Sequence, residues 1–491
     1  MGRVREIGRL RRRVRIGAPD PSVTRFSGVA AVTELVDRLN MIKLLGAVIG
    51  PIKTRDRGCG GAELLVGVAT AQLAGAEFLV GLDRWRADAA GQVLAAVPAL
   101  ASTTAAGLAR KLTDVQWAAV ETGIGDIAAA ALAALAAVAP ERSAALHESV
   151  TIDLDTTDIE VYGRHKRGVA FNHQGQRVGR PHVAAWAETA TVLAADLMAG
   201  NDDPRPHAAA LLRRALAALP AQARAGRVRL RADAGYFAGE LARAALFADV
   251  EFAIGAKRIA PLWRILDGVP ADAWTDATDM TNAQVAVAEY CPDWWPAATR
   301  LLIRRVQLDP GTGQAAGQVS ADLRTRRRRT LHPGQRALPI TELAGADAVY
   351  GYSFVVTNLD VSTGAKAAAV EHWYRHRTQV ENLFRDAKLG AAMRHLPSGY
   401  PEVNRAWMWG ALLAATIVGW LHQLTAIDKD GQLIGHGLRG GQAMIATLRH
   451  RLIAVPARLV RHAGALTLRL PPGEELLEEI LARIRALPAP S

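Results

Sequence analysis

The sequence predicts an α/β fold in which a domain with a mixed β-sheet is flanked by helical regions. Three observations indicate it. Residues 150–155 alternate apolar and polar side chains with the period of two that a strand requires. Strand-like and helix-like segments then alternate as far as about residue 255. Helical patterns dominate both the region before 113 and the region after 366.

The chain is predicted to begin with a basic segment and a helical domain. Residues 1–25 are arginine-rich and lack the apolar core of a secretory signal, so we expect them to be disordered. Apolar periodicity predicts helices at 29–48 and 61–82. Residues 26–113 are therefore interpreted as one helical domain.

The end of this domain carries a candidate DNA-binding helix. Ser102 or Thr103 would cap a short helix that bears Arg110 and Lys111. A capped basic helix after shorter helices is typical of a helix-turn-helix module, so we expect this domain to bind DNA. The alanine-rich residues 114–145 would form a linker helix.

Residues 146–258 are interpreted as the first part of the α/β domain. The order of elements is βββαβαβ, which predicts a mixed sheet. The predicted strands lie at 150–155, 167–172, 190–197, 227–233 and 250–255, and the predicted helices at 206–218 and 238–247.

The remainder divides into three predicted regions. Residues 259–365 are interpreted as a β-rich insertion, and 366–425 as the second part of the α/β domain, beginning with a helix at 366–389. Residues 426–491 are expected to be helical. The run 406–421 has 16 residues without a charge, fewer than the roughly 20 that a spanning helix needs, so it predicts a buried core helix and no membrane segment.

The charge of the chain favours a nucleic-acid partner. The 491 residues carry a net charge of +12, with 59 Lys and Arg against 47 Asp and Glu. Residues 1–60 hold 13 basic and 5 acidic side chains, and residues 296–340 hold 9 and 2. Phosphate binding needs a local density of cations of this kind. The two cysteines, Cys59 and Cys291, exclude a disulfide framework and fit a reducing, cytoplasmic compartment.

Three acidic residues occupy positions where α/β domains place their ligands. Asp155 ends the first strand, Asp233 ends the strand at 227–233, and Glu381 lies in the helix at 366–389. Taken singly, each acid could be a solvated turn residue or a helix cap. Gathered at one sheet edge, their carboxylates could hold two Mg²⁺ ions, or Mn²⁺ in their place.

The helix around Glu381 carries a polar stripe. At about 100° per residue, one side of a continuous helix would present Tyr374, Arg377, Glu381 and Lys388, with apolar residues on a separate arc. An acid flanked by cations on neighbouring turns suits a polyanionic substrate, because the cations can hold phosphates while the acid holds metal.

This stripe resembles a known signature. The spacing Tyr374-x2-Arg377-x3-Glu381-x6-Lys388 is similar to the Tyr-Arg-Glu-Lys signature of the DDE transposases of bacterial insertion sequences. Residues 154–157 (LDTT) and 231–237 (RADAGYF) resemble the strands of that group that carry its first and second aspartates. A β-rich insertion ahead of the glutamate helix is similar to that of the group, and the resemblance covers nearly the whole chain beyond residue 25.

The resemblance implies a ribonuclease-H-like catalytic domain and a role for each residue. The catalytic metal ligands would be Asp155, Asp233 and Glu381, and the contacts to DNA phosphates would come from Tyr374, Arg377 and Lys388. Asp153 faces the same way as Asp155 and is an alternative first ligand. The family pattern places the acid two residues before a threonine, here Thr157, which favours Asp155.

Two further features have alternative interpretations. Trp294 and Trp295 in the insertion could stack on an unstacked base, as a tryptophan does in that group, or form a core pair beside Pro296. The cationic run Arg326, Arg327, Arg328 and Arg329 could bind DNA backbone or form a disordered loop.

The function implied by the resemblance is cut-and-paste DNA transposition. Such a protein binds terminal inverted repeats, cleaves at the element ends with divalent metal and transfers the 3′-hydroxyl ends to target DNA. Because two ends must be held together, we expect a homodimer on double-stranded DNA. Two alternatives stay open: a ribonuclease-H-like nuclease or resolvase that cuts without joining, and a non-catalytic DNA-binding regulator derived from a transposase.

Overall fold

The computed structural model of the chain describes residues 16–55, 58–308, 329–337, 348–426 and 443–489. The candidate residues Arg326, Arg327 and Arg328 lie outside these ranges, and Arg329 is exposed in a turn.

The first 148 residues form a short strand and eight helices within the described ranges. Strand β1 comprises Val23–Thr24. The helices are α1 (Val29–Arg38), α2 (Met41–Ile49), α3 (Gly61–Leu73), α4 (Leu79–Arg86), α5 (Ala89–Leu94), α6 (Ser102–Ala109), α7 (Asp114–Val138) and α8 (Pro140–Glu148).

The next region alternates strands and helices. Its elements are β2 (Ser149–Thr156), β3 (Ile159–Glu160), β4 (Ala170–Phe171), β5 (Arg177–Trp186), β6 (Thr191–Ala199), α9 (Arg205–Ala218), α10 (Ala221–Arg224), β7 (Arg227–Ala232), a 3₁₀ turn (Ala234–Tyr236), α11 (Gly239–Phe247) and β8 (Glu251–Ala256).

The last region starts with further strands and ends in helices and a hairpin. Its elements are α12 (Ala260–Asp267), a 3₁₀ turn (Ala271–Ala273), β9 (Thr275–Asp276), β10 (Ala283–Glu289), β11 (Arg300–Leu308), α13 (Pro333–Ala337), β12 (Val349–Thr357), α14 (Gly364–Arg375), α15 (Thr378–Gly390), α16 (Pro401–Thr425), α17 (Ile445–Leu448), a π-helical turn (Arg449–Ile453), β13 (Ala457–His462), β14 (Ala465–Arg469) and α18 (Leu476–Ala486).

One large mixed sheet organises the described residues. Its strands follow the order β6-β5-β2-β7-β8-β12-β11-β10-β9, and β3 and β4 also pair with β5. The central strands β2, β7 and β8 are parallel to one another, and every other pairing is antiparallel. The predicted mixed α/β fold is therefore confirmed. The predicted β-rich insertion does not form a separate unit, because β9–β12 continue the same sheet.

The two faces of this sheet bury different side chains. Neighbouring residues on a strand point to opposite faces. On β12, Phe354 and Val356 join the main hydrophobic core, whereas Val355 belongs to a second, smaller core that includes residues of α14. On β2, Ile152 and Leu154 face the main core, so the aspartates of this strand face the side on which α14 packs.

A buried ion pair joins β2 to β7 on that side. The parallel register places Asp153 opposite Arg231. The Arg231 guanidinium donates to both Asp153 carboxylate oxygens, at 2.7 and 2.9 Å, and neither side chain is more than 1% exposed. The same guanidinium donates to the Trp373 carbonyl and to the Gln379 side chain, each at 2.8 Å. One side chain therefore ties two strands to the ends of α14 and α15.

The helix α16 forms the centre of the main core. The charge-free run 406–421 is buried, which confirms the predicted core helix. Helix α3 packs on one side of it and β6 on another. By length and composition one described helix, α7, could cross a membrane, but most of its apolar stretch is buried in the fold. Residues 114–145, predicted to be a linker, therefore lie mostly in packed helices.

Several predicted helices are interrupted. The predicted helix 29–48 is divided at Asn40, whose φ of 50° ends one helix before the next begins. The predicted helix 61–82 ends after Leu73, where Gly75 adopts a φ of 98° that favours glycine at a helix C-terminus. Ser102 is the first residue of its helix and makes no side-chain cap. Its backbone N–H instead donates a hydrogen bond to the Asp83 carboxylate, at 2.9 Å.

One strand was missed, and one region is only partly helical, as α17 and α18 show. The sequence prediction placed a strand at 167–172, where only the short β4 forms, and none over β5. Strand β5 contains Gly179 and Pro181, residues that are unfavourable in a central strand. The region 426–491 was predicted to be helical. Its described part contains the hairpin β13–β14, whose two-residue turn, Ala463 and Gly464, has positive φ at both positions. Strand β13 also pairs with β1, which lies within residues 1–25, the segment that was predicted to be disordered.

The buried pair predicts a large stability effect. Arg231→Met should lower the free energy of unfolding by about 3–5 kcal/mol, because it leaves the Asp153 carboxylate buried without a cation. Urea denaturation followed by circular dichroism measures it. Arg227→Met, on the same strand with a guanidinium 65% exposed and 3.8 Å from its acid, should cost under about 1 kcal/mol. Equal costs for the two variants would contradict the interpretation.

A second buried acid predicts a pH-dependent effect. Burial raises the pKa of Glu121 on α7 to about 7, although Arg214 lies 3.1 Å away. Ionisation therefore costs more in the folded than in the unfolded chain, and the cost grows between the unfolded pKa and pH 7. Glu121→Gln should raise the free energy of unfolding by about 1–3 kcal/mol at pH 8 and leave it nearly unchanged at pH 4. The exposed Glu479→Gln is the control, and a pH-independent difference for Glu121→Gln would contradict the prediction.

Candidate active site

Two aspartates meet at the carboxyl edge of the parallel strands. Asp155 lies near the end of β2 and Asp233 directly follows β7. The register pairs Leu154 with Ala232, so the next residues of both strands lie side by side, about 5 Å apart along the sheet. Both side chains belong to the face that α14 covers. The two predicted aspartates are thus brought together.

Local structure holds each aspartate in place. An Asp155 carboxylate oxygen accepts from the backbone N–H of Thr156, at 2.8 Å. Asp233 caps the 3₁₀ turn that follows it, where its carboxylate accepts from the Gly235 N–H, also at 2.8 Å. The tight turn after the strand therefore orients the second carboxylate as well as ending the strand.

Gly255 on β8 lies beside Asp233, so that residues 155, 233 and 255 form a row across three neighbouring strands. Its lack of a side chain leaves space over the sheet at this point. A Cβ at this position would lie 2.6 Å from the Tyr374 hydroxyl and 2.8 Å from the Ala234 nitrogen. The Tyr374 hydroxyl donates to the Ala232 carbonyl, at 3.2 Å, and burial raises the pKa of Tyr374 to about 12. Because only glycine fits, Gly255 allows the predicted tyrosine to reach the end of β7. This glycine was not identified from the sequence.

The electrostatics of the site oppose a second negative charge. Burial raises the pKa of Asp155 to about 6, and the negative charge of Asp233 contributes in the same direction. Arg377 opposes this rise. A nearby cation stabilises the ionised form of paired carboxylates such as these.

Arg377 supplies one such cation. Its guanidinium donates to Asp155, at 2.9 Å, and to Glu381, at 3.2 Å. Burial alone would lower the pKa of Arg377, but Asp155 and its neighbours raise it overall, so the guanidinium stays charged. Three predicted site residues are therefore joined in one bridge. The Glu381 side chain is 57% exposed at the outer end of the bridge.

The glutamate helix differs from its prediction. The predicted continuous helix 366–389 is divided into α14 and α15 by a tight turn at His376 and Arg377. Tyr374 lies in the last turn of α14, and Glu381 lies in the first turn of α15. The polar stripe is therefore not one face of one helix. The contacts of Arg231 with Trp373 and Gln379 hold this break against the sheet.

Lys388 lies at the other end of α15. Its Nζ donates to the Thr157 hydroxyl, at 2.6 Å, and to the Asp158 carbonyl, at 2.8 Å. Burial lowers the pKa of Lys388, and Asp158 partly opposes that shift. The lysine thus contacts the segment that leaves Asp155, close to the row of aspartates.

Asp153 does not fit the alternative role of first ligand. Both of its oxygens accept from Arg231, and its side chain is wholly buried. Asp155 lies one row nearer to the edge and remains partly exposed, at 13% of its side chain. The sequence showed that both acids share a face, but it did not identify the buried arginine that engages one of them.

The two tryptophans divide between core and surface. Trp295 is buried and packs on Phe237 with a centroid distance of 5.0 Å, so the base-stacking interpretation is wrong for this residue. Trp294 is 46% exposed and meets the same Phe237 edge-on, at 5.3 Å. Phe237 lies four residues after Asp233, so Trp294 is the member of the pair that stands close to the site and open to solvent.

The predicted basic helix ends earlier than expected. Helix α6 ends at Ala109, so Arg110 and Lys111 follow the helix and both are exposed. The Arg110 guanidinium carbon lies 4.9 Å from the ring centroid of Tyr400. These residues are not part of the row of aspartates.

The donor chemistry of the row fits a divalent cation. Carboxylate oxygens are the ligands that Mg²⁺ and Mn²⁺ prefer, and the aspartate pair carries charge that Arg377 alone does not balance. Within the described ranges, no group of three or more His, Cys, Asp or Glu is close enough to hold a metal ion. In this structure Arg377 stands between Asp155 and Glu381, so two of the predicted ligands are adjacent and the third is held by the arginine.

Comparison with known proteins identifies the family. The sequence profile of the family described as Transposase DDE domain group 1 matches residues 9–331 and 341–489. No curated protein sequence matches the chain. A cryo-EM structure of a piggyBac transposase synaptic complex with hairpin DNA is similar at 11% sequence identity and a TM-score of 0.38, over 85% of this chain and 78% of that chain. A structural similarity at this identity and TM-score does not indicate a function for this chain.

The family profile, in contrast, covers nearly the whole chain and includes every element of the site. The chain therefore belongs to the DDE transposases, a family of DNA-cleaving and DNA-transferring enzymes that generally use divalent metal ions.

Proposed function

We propose that the protein is the transposase of an insertion sequence that moves by cut-and-paste DNA transposition. It binds the terminal inverted repeats, cleaves at the element ends and transfers the 3′-hydroxyl ends to target DNA. The observation that carries the proposal is the pairing of Asp155 with Asp233 across β2 and β7, joined to Glu381 through Arg377.

The sheet supports a ribonuclease-H-like catalytic domain. Strands β6, β5 and β2 are antiparallel neighbours, and β7 and β8 continue parallel to β2. This places the two aspartates on adjacent central strands. Strands β9–β12 lie between β8 and the glutamate helix in sequence, in agreement with an insertion ahead of Glu381.

The metal ligands in this proposal are Asp155, Asp233 and Glu381, with two Mg²⁺ ions, or Mn²⁺, as cofactors. When bound, such ions supply activation of the attacking hydroxyl and stabilisation of the leaving 3′-oxygen. The chain itself positions the carboxylates: the turn after β7 orients Asp233, and the break between α14 and α15 brings Glu381 to the edge. Arg377, Lys388 and Tyr374 line the same edge, where DNA phosphates would approach.

The partner in this proposal is double-stranded DNA, bound as a homodimer so that two element ends are held together. The protein would then act on DNA in the bacterial cytoplasm. A nuclease that cuts without joining and a non-catalytic regulator are the alternative outcomes of cleavage and strand-transfer measurements.

The proposal predicts that the three acids are required for cleavage and not for end binding. Asp155→Asn, Asp233→Asn and Glu381→Gln should each lower Mg²⁺-dependent cleavage of terminal-repeat duplexes more than about a thousandfold. End binding, measured by gel shift in the absence of metal, should be retained because each variant removes a negative charge.

Asp249→Asn is the matched control. It makes the same change on an exposed residue that precedes β8, at the opposite edge of the sheet, and should cleave normally. Retained cleavage in Asp155→Asn would remove that residue from the site. Cleaved ends that never join a target plasmid would favour the nuclease, and binding with no metal-dependent turnover would favour the regulator.

The bridging role of Arg377 predicts a separate effect. Arg377→Lys keeps the charge but cannot donate to Asp155 and Glu381 through one planar group, so single-turnover cleavage should fall about 10–100-fold. Arg385→Lys, on the exposed face of the same helix, should have little effect. Equal rates for Arg377→Lys and the unmodified protein would show that the bridge is not used in cleavage.

A further inference from the structure

We infer that a second DNA-binding surface lies beyond the active site, on the loop 162–168 that follows β3. The surface comprises Tyr162, Arg164 and Arg167 of this loop together with Arg110, Lys111 and Tyr400, and we refer to it as the loop surface. The inference rests on the proposed function, because it places DNA that extends from the cleaved phosphate on this part of the protein.

The sheet fixes the position of the loop surface relative to the active site. Strands β2 and β3 follow one continuous register along β5, with Asp155 opposite Val183 and Glu160 opposite Val178. The chain leaves β5 only after Val161, whose N–H donates to the Arg177 carbonyl. Tyr162 is therefore seven residues beyond Asp155 along one nearly straight line, or about 23 Å. That distance corresponds to about seven base pairs of duplex DNA.

The loop is held rigidly by contacts of its backbone. The Arg177 guanidinium donates to the carbonyls of Gly163 and Lys166, each at 2.6 Å. Lys166 donates in turn to the Leu396 carbonyl, and the Arg167 N–H donates to the Gly399 carbonyl at 3.2 Å. Two of the basic residues of the region are thus used to build the loop, and the others project from a fixed support.

The remaining cations lack acidic partners. No Asp or Glu within the described ranges forms an ion pair with Arg110, Lys111, Arg164 or Arg167, and all four side chains are exposed. Three acids lie near these cations: Asp114 pairs with Arg405, Glu160 accepts from the Tyr162 hydroxyl, and Glu402 lines the same cavity as Arg167. Four exposed cations outnumber the two acids of this region, Glu160 and Glu402, that form no ion pair within the described ranges, so the surface carries a local excess of positive charge.

Aromatic rings accompany these cations. The guanidinium groups of Arg110 and Arg167 both lie over the Tyr400 ring, at 4.9 and 5.0 Å from its centroid. They come from segments far apart in sequence and repel each other, and a phosphate group beside them would relieve that repulsion. Tyr162 is 85% exposed, which leaves its ring open to a ligand, and Tyr400 remains 45% exposed beside the two guanidinium groups. Cations interleaved with exposed rings suit a nucleic-acid backbone.

The test compares paired charge removals on DNA that extends past the cleavage point. The variants are Arg164→Gln with Arg167→Gln, and Arg110→Gln with Lys111→Gln. The control is Arg213→Gln with Arg224→Gln, which removes two exposed cations from α9 and α10. The probe is a terminal-repeat duplex with flanking DNA on both sides of the cut. Binding is measured over a salt series and by hydroxyl-radical footprinting.

Each loop-surface variant should reduce the slope of log K against log salt by about two, because two phosphate contacts are lost. Backbone protection should disappear about seven base pairs from the cleavage point and persist elsewhere. The control should keep the footprint. Arg164→Lys with Arg167→Lys should restore most of the slope and gives a second measurement should the glutamine variant unfold.

The outcomes separate the inference from the proposed function. If the unmodified protein neither binds nor cleaves the duplex, the proposed function fails. If it binds and cleaves while the loop-surface variants keep its slope and footprint, the loop surface is not a DNA contact and the proposed function stands. A loss of protection spread over the whole footprint, or an equal loss in the control, would also overturn the inference, because it would report charge alone.

Discussion

The buried guanidinium of Arg231 is the interaction on which the active site depends. It lies between β2 and β7 and also reaches the carbonyl of Trp373 and the side chain of Gln379. A buried charge needs several partners at good geometry, and here those partners belong to two strands and two helices. The position of the glutamate helix is therefore set by the same contact that aligns the two aspartate strands. Arg377 can contact both Asp155 and Glu381 because this interaction fixes the break between α14 and α15 against the sheet.

Next to this ion pair, at the carboxyl edge of the sheet, repulsion between Asp155 and Asp233 is opposed by attraction to Arg377. The pKa of Asp155 is raised by its burial and, to a smaller extent, by the nearby charge of Asp233. Arg377 offsets part of that cost and also links the pair to Glu381. One arginine does not fully compensate two neighbouring carboxylates, so the chemistry of this site favours a further cation. Gly255 contributes sterically, because its lack of a side chain leaves space for the Tyr374 hydroxyl to donate to the Ala232 carbonyl at the end of β7.

The large sheet connects this site to surfaces on both sides. In one direction β8 continues into β12, β11 and β10, and the turn after Asp233 leads to Phe237, on which Trp294 and Trp295 pack. In the other direction β2 runs into β3 and the loop surface. The helices of the first 148 residues do not stand apart, because α3 packs on α16 and Arg110 contacts Tyr400. Regions that the composition suggests are separate domains therefore share one core.

The sequence by itself determined the α/β class, most strands of the parallel centre and the buried helix at 406–421, and it singled out three candidate acids, because period, strand ends and spacing are local properties. It did not reveal β5, whose Gly179 and Pro181 are tolerated only because neighbouring strands pair with the rest of it. It also predicted one helix where α14 and α15 are two. The tertiary structure decided which aspartate is engaged and where Arg377 points, since those depend on Arg231, a strand residue whose partners lie 78 to 148 positions away in the chain. Patterns among residues that are close in the sequence cannot predict contacts between residues so far apart in the chain.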